Sequence, residues 1–143
     1  MSWHEHFLKV AELIASRSKD PSTKVGCVIV GERHDIRATG YNGLPRGVKD
    51  SPQRMVRPLK YLYTEHAERN AIYNAAYVGT PLAGCDAFIT WPPCADCARA
   101  LIQVGIRRIY TYEHVIPERW VESMNTSYTL LREAGVDVLI ISK

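Results

Sequence analysis

From Asp86 to Ile141 the chain alternates between two kinds of segment. Asp86–Trp91, Arg107–Tyr112 and Val136–Ile141 are short apolar runs that read as strands. Ala95–Val104 and Pro117–Ala134 read as helices, closed by Gly105 and Gly135. Strand, helix, strand, helix, strand requires parallel neighbours joined by right-handed crossovers. Upstream, KVGCVIVG at 24–31 is a compact β-branched run that reads as a buried strand, and Ile36–Tyr41 returns beside it after the GERHD turn. A length of 143 residues fits one domain, 1–143. The expectation is an α/β protein with three α-β-α layers: a mixed five-stranded sheet with helices on both faces.

Two further helices are legible. Trp3–Ser16 places Phe7, Val10, Ala11, Leu13 and Ile14 at helical spacing behind Ser2, a capping residue. Glu65–Tyr77 is rich in alanine. Before it, NGLPRGVKDSPQRMVRPLKYL carries three prolines and two glycines, which forbid long regular structure. An excursion of this length in a small domain is usually functional or disordered.

Lysine and arginine number 18 against 15 acidic residues, a net charge of +3. That balance suits a small anionic ligand and is too weak to argue for nucleic acid. The N-terminus is amphipathic and charged throughout, unlike a signal peptide, and no run approaches the ~20 apolar residues of a membrane span. The expected location is the cytoplasm, where thiols stay reduced. Cys27, Cys85, Cys94 and Cys97 are therefore read as core residues or metal ligands rather than disulfides.

Two motifs carry chemistry, and both fall at helix N-termini, where ligands of such sheets collect. In WPPCADC, Cys94 starts a helix and Cys97 lies one turn on, on the same face. The positive helix end favours thiolates. Alone, a CxxC pair is equally a redox couple or half of a zinc knuckle. HAERNA decides between them. His66 and Glu68 stand two apart at another helix start and so point in different directions. His66, Cys94 and Cys97 make three ligands and leave the fourth tetrahedral position of Zn²⁺ open, the mark of a catalytic site. Water there ionises near pH 7, and Glu68 beside it can shuttle protons.

The pair HxE and PCxxC is the signature of zinc-dependent deaminases. HAERNAI and PCADCA resemble the two motifs of the cytidine deaminase superfamily. KDPSTKVGCVIV, ATGYNGLPRG, CARALIQVGIRRIY and LLREAGV extend the resemblance over nearly the whole chain, toward the deoxycytidylate deaminase family. It implies the cytidine deaminase-like fold and hydrolysis of dCMP to dUMP and ammonia, feeding thymidylate synthesis. Glu68 would move the protons, the carbonyl of Trp91 or Pro92 would hold the amine, and Asn42 would contact the sugar. Lys24 is the candidate for the substrate phosphate. The resemblance also implies control by dCTP and dTTP, with Mg²⁺ accompanying the triphosphate, in a homohexamer. It places the effector site at Tyr41, Asn42, Gly43, Arg46 and Gly47. Glycines there admit phosphate oxygens to backbone amides, and Arg46 adds a bidentate contact. Arg54, Arg57 and Lys60 are further cations that could face an effector triphosphate.

Some relatives hold a second, structural zinc. Cys27 and Cys85 lie far apart in apolar runs, so one metal per chain is expected. The residue before the motif histidine, often apolar or cysteine in relatives, is Glu65 here. A tRNA adenosine deaminase shares both motifs but needs a basic face for RNA, against which GYNGLPRG and the modest charge argue. A structural-zinc interaction module needs a fourth protein ligand, and none is suitably spaced.

Overall fold

Gly26–Val30 (β1) is buried at every residue because it is covered on both faces. It pairs antiparallel with Ile36–Tyr41 (β2) on one side and with Asp86–Ile89 (β3) on the other. Arg108–Tyr112 (β4) and Asp137–Ile141 (β5) continue the sheet in parallel, giving the order β2-β1-β3-β4-β5. The computed structural model describes residues 1–143. The mixed five-stranded sheet has the composition expected from the sequence.

Side chains alternate across the strands and sort two cores. Val28, Val30, Phe88 and Tyr112 meet Phe7, Leu8 and Ala11 of Trp3–Ala15 (α1). Phe7 and Leu8 are fully buried, a burial that contributes roughly 1.5–3 kcal/mol apiece. A capping box between Ser2 and Glu5 starts this helix. On the opposite face, Cys27, Ile29, Ala87, Ile89 and Ile109 meet Ala67–Val78 (α3), Ala95–Gln103 (α4) and Glu118–Glu133 (α5). Helices thus cover both faces, but unequally. One helix stands against three, and Leu139 and Ile140 of β5 remain exposed. Cys27 and Cys85 are buried core residues.

α3 lies close against β2. A Cβ on Gly40 would meet Ala67 O at 2.4 Å and Ala71 N at 2.3 Å, so only glycine permits this contact. Ala67, Ala71 and Ala75 form the small, buried face of the helix. Two asparagines one turn apart on α3 reach the outer edge of the sheet. Asn70 Nδ2 donates to Tyr41 O at 2.8 Å and Asn74 Nδ2 donates to Thr39 O at 2.7 Å.

The proline-rich excursion contains only a short 3₁₀ turn, Pro52–Met55, and one helical turn, Lys60–Tyr63 (α2). α3 begins at Ala67 rather than at Glu65. Glu65 instead pairs with Gly43 in an isolated antiparallel bridge, exchanging backbone hydrogen bonds of 2.8 and 3.1 Å. No helix is long and apolar enough to cross a membrane.

Candidate active site

Both motifs place a ligand at a helix N-cap. His66 caps α3 with extended backbone (φ −75°, ψ 155°), and Cys94 caps α4 (φ −72°, ψ 174°). Neither side chain makes the usual cap hydrogen bond, so both are free to point away from their helices. Cys97 is the third residue of α4, and that offset turns it to the same side as Cys94. The two helix starts face each other. His66 Nδ1 lies 3.4 Å from Cys94 Sγ and 3.3 Å from Cys97 Sγ.

The donor atoms of His66, Cys94 and Cys97 all fall within 4.8 Å of one another. A tetrahedral ion with Zn–S of about 2.3 Å and Zn–N of about 2.0–2.1 Å separates nitrogen from sulfur by roughly 3.5 Å. The observed spacings fit that ion, and two thiolates with one imidazole form a zinc-type donor set. The Cys97 thiol hydrogen-bonds Cys94 and brings the Cys94 thiol down to about 4. The same bond, with burial, pushes Cys97 up. The bond to Cys94 also raises His66.

Glu68, in the first turn of α3, is only 4% exposed. Burial pushes its carboxyl up to about 7. A carboxyl balanced at that value gives and takes a proton near neutral pH.

Glu65, unexplained by the motif, has a structural role. Its carboxylate sits 2.6 Å from Arg69 Nε, and Arg69 extends to Asp96 on α4 at 3.7 Å. The first contact is an ion pair without hydrogen-bond alignment. The three charges tie the two ligand-bearing helices together.

A cleft of about 570 Å³ opens over this centre. Asn42, Trp91 and Pro92 line it. Asn42 is held in place by accepting from Val25 N–H at 2.8 Å and donating to Thr23 O at 2.9 Å. Trp91 packs against His114 with the rings tilted by 34° and their centroids 4.0 Å apart. Lys24 is exposed and lies outside the lining.

The cleft cations come from elsewhere: Arg57, Lys60, Arg69 and Arg119. Arg57 Nε donates to Tyr61 Oη at 2.7 Å. Burial raises the Tyr61 phenol, but Arg57 and then Arg119 outweigh it and hold the group below its ordinary 10.0. Arg57 therefore contacts the phenol directly, and Arg119 lines the same cleft. Arg54 does not join them and packs over the Tyr63 ring, with its guanidinium carbon 4.4 Å from the centroid.

Of the effector candidates Asn42 lines the cleft, while Tyr41, Gly43, Arg46 and Gly47 lie outside it. Arg46 hydrogen-bonds Asn74 and stands 4.7 Å over the Tyr77 ring. Gly47 takes a left-handed turn (φ +78°) in open space, Tyr41 is exposed, and Gly43 is held by Glu65.

The model of the cytidine and deoxycytidylate deaminase zinc-binding region matches residues 1–113. The chain belongs to this family. It is 43% identical over 138 residues to a deaminase of the luxG 3′ region of Aliivibrio fischeri, covering 95% of this chain and 91% of that one. It is 41% identical over 115 residues to human deoxycytidylate deaminase, covering 76% of this chain but 64% of the human one. The chain thus spans about two-thirds of the human relative. The cyanophage S-TIM5 dCMP deaminase, solved with dCMP and dUMP, superposes with a TM-score of 0.79 at 28% identity, covering 96% and 95% of the two chains. A tRNA:A34 deaminase at 22% identity and a TM-score of 0.63 shares the fold.

Proposed function

We propose that this family member hydrolyses dCMP to dUMP and ammonia and so supplies dUMP for thymidylate synthesis. The observation that carries the reading is one arrangement: a buried carboxyl beside a His-Cys-Cys cluster, under a cleft lined by Arg57 and Arg119. The relatives named for deoxycytidylate support the choice of substrate.

His66, Cys94 and Cys97 would hold Zn²⁺, which when bound supplies the Lewis acidity that lowers the pKa of water to about 7. Glu68 takes the proton from the attacking water. The oxygen bonds to C4 of the cytosine ring, and Glu68 delivers the proton to N3. A second proton passes through Glu68 to the exocyclic nitrogen, the C4–N bond breaks, and ammonia leaves. Trp91 and Pro92 wall the ring at the end of β3, beside the departing amine. Asn42, its amide fixed by backbone contacts, presents its remaining donor to the sugar.

Lys24, exposed, gives way to Arg57 and Arg119 as the holders of the 5′-phosphate, since a planar guanidinium binds phosphate oxygens in a fork. The proposal includes control by dCTP and dTTP at Tyr41, Asn42, Gly43, Arg46 and Gly47. It also includes the Mg²⁺ of the triphosphate, a homohexamer and a cytoplasmic location. Those parts rest on the family resemblance carried by GYNGLPRG and, for the location, on the charged N-terminal segment.

Ammonia release from dCMP, deoxycytidine, dCTP and an anticodon-loop RNA, each with and without dTTP, tests the reading. Turnover of dCMP well above deoxycytidine is expected. Turnover of the RNA alone would overturn it.

A further inference from the structure

α5 begins at Glu118, beyond residue 113 where the family match ends, yet it touches the metal centre twice. Trp120 sets its ring edge-on to the His66 imidazole, with centroids 6.3 Å apart. One turn further, Ser123 Oγ accepts a hydrogen bond from the Ala95 N–H at 3.0 Å.

The second contact answers a problem posed by α4. The first N–H groups of a helix have no intrahelical partner, and the N-cap side chain usually accepts from one of them. Cys94 is the N-cap of α4, but its sulfur is turned to His66 and caps nothing. The adjacent Ala95 N–H is satisfied by a hydroxyl from another helix. Ala95 is the first residue of α4, and Ser123 thus satisfies an orphan donor that an N-cap side chain does not serve, at the residue next to the ligand Cys94.

We infer that Ser123 is a positioning residue for the metal centre. Its bond to the Ala95 N–H fixes the backbone that carries Cys94 and so aims the sulfur. The inference rests on the metal-site reading above. Removing a group that orients a ligand typically costs 10–100-fold in metal affinity.

Zinc release from the purified protein to a chromogenic chelator tests this. Threonine and valine are nearly equal in shape and both are β-branched, so Ser123→Thr and Ser123→Val differ chiefly in the hydroxyl. Ser123→Thr should release zinc at the wild-type rate and Ser123→Val about tenfold faster. Ser123→Ala, which adds no bulk, repeats the comparison and should also release zinc about tenfold faster. Equal release from wild type and Ser123→Ala, or from the threonine and valine variants, overturns the inference. Wild-type protein that carries no zinc overturns the metal-site reading beneath it. Metal retention is the chosen readout because a role in helix packing alone would leave it unchanged.

Discussion

Lys60 Nζ lies 3.1 Å from Asp20 Oδ2, 40 residues away in the chain, and both side chains are buried. Asp20 Oδ1 also accepts from the N–H groups of Ser22 and Thr23 at 2.8 and 3.1 Å. Lys60 donates as well to Ser22 Oγ at 3.0 Å. One ion pair therefore anchors the excursion to the SKDPST loop, and both segments line the cleft. Removing one partner of a buried pair leaves a charge without compensation and costs about 3–5 kcal/mol. Asp20→Ala and Lys60→Met should each lose that much in urea unfolding. The double variant should lose less than the sum, since the two residues interact directly.

The same carboxylate sets a pH dependence. Burial raises the Asp20 pKa, but the N–H groups of Ser22 and Thr23, then Lys60, bring it below the ordinary 3.8. A depressed folded value stabilises the fold fully above the unfolded value and loses that contribution as pH falls through the folded one. Unfolding free energy should therefore fall from about pH 5 downward. In Asp20→Asn that decline should be shallower, although stability at neutral pH is lower. Urea titrations across the acid range measure both slopes.

Glu68→Gln keeps the size of the side chain but cannot take a proton. Its turnover of dCMP should fall by roughly 10²–10⁴, the range of general acid–base catalysis. Zinc content, by elemental analysis, should stay at one per chain. Activity near wild type would remove Glu68 from the proton path.

Cys94→Ala and Cys97→Ala each delete one of three donors. Both should lose zinc, and because metal binding couples to folding, both should melt below the wild type. Chelator treatment of the wild type should lower its melting temperature in the same direction. Calorimetry with and without added zinc makes the comparison.

Arg57→Ala and Arg119→Ala remove charged partners of the phosphate. A hydrogen bond to a charged group contributes about 1.5–3 kcal/mol, so KM for dCMP should rise by roughly ten- to hundredfold. Deoxycytidine, which lacks the phosphate, should be turned over as before. An equal loss on both substrates would remove the arginines from phosphate recognition. Lys24→Ala, at an exposed site outside the cleft, should change neither.

The parts of this protein legible in its sequence are those fixed by local chemistry. β-branched runs, helix-ending glycines and the Ser2 cap mark the elements, and the spacing of Cys94 and Cys97 puts two sulfurs on one side of a helix. The proposed phosphate site is not legible because its residues are brought together by tertiary folding. Lys24 stood next to a strand and drew the assignment. Arg57 and Lys60 lie in a stretch without regular pattern and read there as cations facing an effector triphosphate, and no motif surrounds Arg119. Only the return of the excursion over the cleft joins them. Glu65 was obscure for the same reason: Arg69 is one turn away in sequence, but Asp96 and Gly43 are near it only in space.

Asn70 and Asn74 leave one further mark on the molecule. By occupying the outward carbonyls of Tyr41 and Thr39, they use up acceptors that an incoming strand would need. The rim at β2 is blunted against growth by a built-in pair of stoppers, carried on the same helix that bears His66 and Glu68. Lengthening of the sheet by a neighbour is thereby disfavoured at the side nearest the chemistry.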